Sequence, residues 1–348
     1  MDESKLRRLV ERVTGDMGAA FGAATVMLGD RLGLWKALAG AGPLTPEELA
    51  GRTGTDPRLV AEWLAAQAAA GYVDYADGVY TLTDEQAAVF ADDSSPAFMV
   101  GFAEVVGSVH RDEAKVARAY RGEEPLGWGD HDPALFRGAE RSFRSGYAAN
   151  LTARWIPALD GVEARLLAGA RVADVGCGHG ASTLVMAAAY PESRFTGFDQ
   201  HGESIARARG LAEREGLAGR VRFERADASA YPGNGYDLVC LFDCLHDMGD
   251  PVGALRHVRA TLAGDGTVLL VEPFATGRLP DDFTPVGRVF RNASATVCVP
   301  SAISQGGTEV LGAQAGPERL LSVARRAGFT RAREAAVTPI NLVLELRP

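Results

Sequence analysis

Lysine is almost missing from this chain. Only Lys5, Lys36 and Lys115 occur, and arginine fills nearly all of the 36 basic positions. With alanine and glycine abundant as well, this pattern reads as GC-rich coding bias. Acids outnumber bases 45 to 36, giving a formal net charge of −9. Attraction of a whole protein to nucleic acid or to an anionic membrane needs a basic face, and this balance supplies none. Cysteine is scarce too: Cys177, Cys240, Cys244 and Cys298 show no CxxC spacing. No apolar leader opens the chain, so reduced thiols and a cytoplasmic location are expected, and a disulfide scaffold is not. No apolar run approaches the roughly 20 residues that cross a bilayer. What remains is ordinary: 47% hydrophobic and 23% charged residues over 348 positions. That size and composition fit a folded protein with one large domain and a smaller one.

Residues 20–92 read as three helices and a two-stranded wing. Thr45 is placed to cap a helix with Pro46 at its first position, and Asp56 caps another with Pro57 after it. Asp77-Gly78 is the turn signal of a hairpin. The pattern is a winged helix-turn-helix. Phosphate contact needs several basic residues, yet the helix that would enter a DNA groove offers Arg58 against Asp56 and Glu62. Dimerisation or packing is therefore the expected role of residues 1–92. Residues 93–165 form a helical linker rich in aromatics, of which Trp128, Phe136, Phe143 and Tyr147 are candidates for an acceptor pocket.

From residue 166 to 348 short apolar runs alternate with helical stretches, which predicts a parallel sheet covered by helices on both faces; the last two runs read as an antiparallel hairpin on one edge. "DVGCGHG" places Asp174 at a strand end, followed by Gly176, Gly178 and Gly180 ahead of a helix. Glycines there let the backbone turn sharply and approach a ligand. The spacing is GxGxG, which does not fit the dinucleotide fingerprint GxGxxG. Asp199 ends the next strand, Asp227-Ala228 the third and Asp243 the fourth, so carboxylates line the rim where open parallel sheets bind ligands. A carboxylate in the position of Asp199 can accept both hydroxyls of a ribose. An acid-lined rim suits an adenosine that carries a cation in place of phosphate, which is the description of S-adenosylmethionine.

"DVGCGHG", the Asp199 strand end, "ADAS" and "LFDCLHDMGDP" together resemble the class I S-adenosylmethionine-dependent methyltransferases. With its winged helix and helical linker the whole chain is similar to the two-domain small-molecule type, especially the actinobacterial enzymes and their plant O-methyltransferase cousins. The resemblance implies a Rossmann-like sheet with an antiparallel carboxyl-terminal hairpin, S-adenosylmethionine as cofactor, a small aromatic or heterocyclic acceptor and a homodimer. It implies that Asp174 and the three glycines flank the methionine part, that Asp199 with Gln200 holds the ribose, and that Asp227 with Ala228 meets the adenine, with Asp243 on the same rim. "LHDMGDP" is similar to the family's "LHDWSD", which makes His246 the general base, Asp247 its neighbour in the catalytic set, and Glu272 the acid that orients it. O-methylation is favoured, with N- or C-methylation as further options.

The chain departs from the plant enzymes at two points. Gln314 stands near the place of a second acid, with Glu309 and Glu318 close by, and Leu241-Phe242 replaces a lysine ahead of the base. Residues 290–307 read as a loop roofing the site, with Phe290, Cys298 and Ser301 as pocket candidates. His110, His131, Cys244 and His246 lack metal-ligand spacing, so no metal is expected. Two other functions fit parts of the pattern: a cofactor-responsive winged-helix DNA-binding regulator, and an enzyme of this fold performing decarboxylation or hydroxylation.

Overall fold

The computed structural model describes residues 1–307 and 309–348. They divide into two compact units: residues 1–110 with 133–146, and residues 111–132 with 147–348.

The first unit begins with helix α1 (Glu3–Arg31), α2 (Leu34–Leu38), α3 (Pro46–Thr53) and α4 (Pro57–Ala69). Strands β1 (Asp74–Ala76) and β2 (Val79–Thr81) form the wing, and α5 (Asp84–Phe90) follows. The caps stand where the sequence places them. The Thr45 hydroxyl accepts the Glu48 N–H while the Glu48 carboxylate accepts the Thr45 N–H, and Asp56 accepts the Leu59 N–H at 3.0 Å. In the wing, Ala76 pairs with Val79 across the Asp77-Gly78 turn, whose two residues have φ of 47° and 87°, the left-handed conformation a tight hairpin requires. The core is aromatic: Trp35 meets Trp63 edge-on at 4.7 Å and stacks on Phe90 at 4.6 Å. Both indoles are satisfied, Trp35 by the Val26 carbonyl at 3.0 Å and Trp63 by the Thr25 carbonyl at 2.8 Å. Arg58 of α4 is paired with Glu62 at 2.5 Å.

Helices α6 (Val100–Tyr120) and α7 (Ala134–Asn150) contain the division between the units. The second unit continues with α8 (Val162–Ala168), β3 (Arg171–Val175), α9 (Ala181–Ala189), β4 (Arg194–Asp199), α10 (Gly202–Arg214), β5 (Val221–Arg225) and β6 (Tyr236–Phe242). Then come α11 (Pro251–Thr261), β7 (Leu262–Pro273), α12 (Pro285–Ala293), α13 (Val299–Ser304), α14 (Gly316–Arg326), β8 (Arg331–Val337) and β9 (Asn341–Arg347). The sheet order is β5-β4-β3-β6-β7-β9-β8, parallel from β5 to β7 and antiparallel at β9 and β8. This is the class I methyltransferase architecture. Val239, Leu241, Val268, Leu270, Leu342 and Leu344 are fully buried and pack with Leu255 and Val258 of α11 and Leu320 and Val323 of α14. Such burial on both faces is why these strands read as continuous apolar runs. The order reverses between β3 and β6, which opens a crevice at their carboxyl ends.

One expectation is overturned. Residues 290–304 are not a loop: α12 passes into a π turn, Ser294–Cys298, and on into α13, and only 305–307 leave the helix. Asn292 Nδ2 donates to the Arg288 carbonyl at 2.7 Å and Thr296 Oγ1 to the Asn292 carbonyl at 2.8 Å, so the small polar residues that suggest a loop are tied back along the helix. Pro300 lies in the first turn of α13, where a missing N–H is tolerated. Among the described residues no helix is long and apolar enough to cross a membrane.

Candidate active site

Gly176, Gly178 and Gly180 alternate between β3 and α9, with φ of 74°, 53° and 81°. Two of the three positions have no room for a side chain. A Cβ on Gly176 would lie 2.7 Å from Cys244 Sγ and one on Gly180 2.5 Å from the Phe223 ring, while Gly178 faces open space. Asp199 at the end of β4 holds this loop: one oxygen accepts the Gly178 N–H at 2.9 Å and the other the His201 N–H at 2.8 Å. Burial raises the Asp199 carboxyl, and these N–H donors act against it. Gln200 is exposed, with its carbonyl accepting Arg225 Nε at 2.9 Å.

Asp174, inside β3, accepts the Ser182 hydroxyl at 2.7 Å and the Thr183 hydroxyl at 2.6 Å on the same oxygen. Its other oxygen is buried without a partner, and burial pushes the carboxyl up to about 6 although both hydroxyls favour its charge. Asp227 is exposed beyond β5 and turns onto Ser229, whose N–H it accepts at 2.8 Å; Ala228 packs on the sheet core.

Asp243 follows β6 with φ of 49°, a strained conformation of the kind concentrated at functional positions. Tyr147 donates its hydroxyl to Asp243 at 3.3 Å, Asn341 Nδ2 donates to the second oxygen at 3.3 Å, and the Tyr147 ring lies 5.3 Å from Phe242. Burial first, then the nearby Glu272 charge, pushes Asp243 up to about 7. The folded value lies above the ordinary 3.8, so the stability this group contributes is complete at low pH and is lost as pH rises through about 7. Asp243→Asn removes that loss. At pH 8 its melting temperature is expected to exceed wild type by about 2–6 °C, the equivalent of ~1–2 kcal/mol once partial exposure is allowed for, with the two converging near pH 4. A constant difference across that range, seen by scanning calorimetry, would remove the titration as its cause.

His246 lies in a short 3₁₀ turn, Leu245–Asp247, after β6. Its side chain is 6% exposed, and Nδ1 is 2.5 Å from Glu272 Oε2. The other oxygen of Glu272 accepts the Leu245 N–H at 2.9 Å, so the carboxylate is clamped between ring and backbone at the end of β7. This fixes the tautomer with hydrogen on Nδ1 and leaves Nε2 facing Asp247 Oδ1 at 3.3 Å. Burial disfavours the imidazolium, but Asp247 and Glu272 outweigh it and raise His246 well above 6.5. Cys298, at the end of the π turn, bonds through its thiol with His246 and Asp247; burial pushes that thiol up to about 12. The atoms offered by His246, Asp247 and Cys298 all lie within 4.8 Å of one another. This is a different set from the one considered in the sequence. Three donors already bonded among themselves give no metal assignment.

The structure thus brings Asp174, the glycines, Asp199, Asp243, Tyr147, His246, Asp247, Glu272 and Cys298 to the carboxyl ends of β3, β4, β6 and β7. Phe290 is half-buried on α12 and Trp128 half-buried in a 3₁₀ turn. Phe136 and Phe143 belong to the first unit, where Phe143 meets Phe102 edge-on at 6.2 Å. Gln314 is buried, its amide donating to the Ala313 carbonyl at 2.9 Å, while Glu309 pairs with Arg326 at 2.5 Å. Three bonding partners escaped the sequence reading. The Ser182 and Thr183 hydroxyls were signalled by their place directly after the glycine loop; Asn341, which bonds Asp243 from almost 100 residues away, had no local signal.

Sheet order, glycine loop and acidic rim define a class I methyltransferase-fold protein. The comparisons agree: residues 166–328 match the family model of a methyltransferase domain, and residues 20–91 that of the Rv2258c-like winged HTH domain. The chain therefore carries a methyltransferase domain behind an amino-terminal winged HTH domain. It is 41% identical over 105 residues to trans-aconitate 2-methyltransferase of Streptomyces avermitilis, covering 30% of this chain and 39% of that protein. It spans between 5% and 50% of the length of the curated relatives it matches. Among solved structures, the mitomycin 7-O-methyltransferase MmcR superposes with a TM-score of 0.71 at 20% identity, covering 100% of both chains. PigF with SAH gives 0.74 at 19% identity, covering 97% of this chain and 99% of that one. At such identities the likeness is one of fold.

Proposed function

We propose that this protein transfers a methyl group from S-adenosylmethionine to a small aromatic or heterocyclic acceptor, with O-methylation favoured and His246 as general base. The observation that carries the reading is the clamp of Glu272 on both the Leu245 N–H and His246 Nδ1, which leaves Nε2, beside Asp247 and the Cys298 thiol, as the ring nitrogen that can exchange a proton. The residues fit the cofactor. Asp174 has a buried oxygen without a partner, of the kind an ammonium would satisfy, and Gly178 leaves open space beside Asp199. Asp174 and the loop would flank the methionine part, Asp199 with Gln200 the ribose and Asp227 with Ala228 the adenine, with Asp243 on the same rim. S-adenosylmethionine, when bound, supplies an electrophilic methyl group.

His246 Nε2 would take the hydroxyl proton, and Glu272 would hold the imidazolium that forms. A raised base must first lose its own proton, so turnover is expected to climb with pH and to level off above the ordinary histidine value of 6.5. Glu272→Gln removes one of the charges that raise it. This limb is then expected to move to lower pH, with the plateau reduced on the order of 10-fold or more, in a pH profile of kcat. A profile that keeps its position would take Glu272 out of the proton balance.

A homodimer through the amino-terminal unit is supported by α1, which exposes Leu9, Val13, Met17 and Phe21. The pairing of Arg58 with Glu62 favours the enzyme over a DNA-binding regulator. The deciding experiment is an acceptor screen scored by the mass gain of one methylene and stoichiometric S-adenosylhomocysteine. Cofactor consumption without either product would favour another chemistry on this fold.

A further inference from the structure

A second carboxylate-held imidazole lies in the same unit as His246. His131 follows the 3₁₀ turn Trp128–Asp130, and its Nδ1 is 3.2 Å from Asp112 Oδ2 on α6. Both side chains are 1% exposed. Asp112 is itself held: the Asp132 N–H donates to Oδ2 at 2.7 Å, and Lys115 Nζ is 2.8 Å from Oδ1. Burial opposes its charge, but Lys115 and the Asp132 N–H outweigh that and keep it ionised. A carboxylate at Nδ1 requires the hydrogen there, so the neutral ring turns a lone pair outward on Nε2. Burial keeps the ring neutral by lowering His131 below its ordinary value.

That Nε2 is buried and has no hydrogen-bond partner, and Asp247 Oδ1, though 3.3 Å from His246 Nε2, makes no hydrogen bond either. The charges of His131 and Asp247 act on each other. The turn before His131 reaches two walls of the site. A Cβ on Gly129 would lie 3.3 Å from the ring of His201, two residues past Asp199, and one on Gly127 would lie 3.4 Å from Ser304 Oγ at the end of α13. Segment 127–131 therefore lies between the strand end that holds the glycine loop and α13, the helix that follows Cys298.

We propose that Asp112 and His131 form a second polar subsite of the acceptor pocket, where His131 Nε2 accepts a hydrogen bond from a hydroxyl or N–H of the acceptor other than the group His246 deprotonates. The acceptor class is then a small ring system with two donors, of the dihydroxy or amino-hydroxy type. The position on the ring rests on the reading of His246 as base; the subsite itself rests on His131 and Asp112. A buried acceptor built to be satisfied by a ligand discriminates against analogues that lack the donor.

Two probes separate the possibilities: 2,3-dihydroxynaphthalene and 2-naphthol, titrated calorimetrically into the full chain with S-adenosylhomocysteine present. Wild type is expected to bind the dihydroxy probe about 10-fold or more tightly than 2-naphthol. His131→Leu is expected to bring the two affinities together, and His131→Gln, which keeps a hydrogen-bonding end, to retain part of the preference; near-UV circular dichroism shows whether each variant is folded. Equal affinities in wild type, no binding of either probe, or a preference that survives His131→Leu would overturn the subsite. A wild-type protein that prefers the dihydroxy probe but methylates neither removes the base reading and leaves the subsite standing. Methylation of both probes without preference does the reverse.

Discussion

His246→Ala is expected to lower kcat by about 100- to 10,000-fold on a hydroxyl acceptor, while the cofactor dissociation constant stays close to wild type. A phenol of pKa about 10 is almost wholly protonated at neutral pH, and its oxygen attacks poorly until the proton has somewhere to go. In the proposed mechanism Nε2 of His246 is that destination, because Nδ1 is committed to Glu272 at 2.5 Å. The alanine variant also strands a buried carboxylate whose second bond, to the Leu245 N–H, does not neutralise it, and losing one partner of a buried pair costs about 3–5 kcal/mol. His246→Gln is the matched control, since its amide can still donate to Glu272. Equal losses of kcat in folded samples of both variants point to the base. Recovery in the glutamine variant would make His246 a structural residue. A loss well under 100-fold, with stability intact, would move the acceptor class to an amine or an activated carbon, where a base matters less.

Asp199→Ala should weaken cofactor binding by about 10- to 100-fold in calorimetry, the range that loss of charge-assisted hydrogen bonds supports. Two effects add. The carboxylate is the candidate partner of the ribose hydroxyls, and it anchors the glycine loop through the Gly178 N–H at 2.9 Å and the next helix through the His201 N–H at 2.8 Å. Without those anchors the loop that leaves space over Gly178 is no longer held open. Wild-type affinity in this variant would discard the assignment, whichever effect dominates.

The legible part of the molecule was the part whose signals are local. Thr45 with Glu48, Asp56 with Leu59 and the Asp77-Gly78 turn are short-range events, and each formed as its residue types dictate. The glycine loop and the strand-end acids are equally local, so a ligand rim at the strands' carboxyl ends could be read from sequence, whereas the reversal of order between β3 and β6 could not. Long-range pairing was not legible. Asp112 and His131 are 19 positions apart on different elements, and nothing in their spacing says that one carboxylate will hold that ring. Asn341 reaches Asp243 only because β9 returns beside β7. The stretch from Phe290 to Ser304 misled for a physical reason: threonine and asparagine lower helix propensity when counted singly, but here Asn292 and Thr296 bond back to the helix itself.

The wide turn at Ser294–Cys298 carries one residue more than an α-helical register would. Excising that residue would let the flanking helices rejoin without rotating either of them, and would draw the Cys298 sulfur along the axis, away from the imidazole it now touches. An in-frame loss of a single codon would thus shift the group beside His246 while the scaffold stays put, which under the proposed function is a short mutational path between acceptors of different girth.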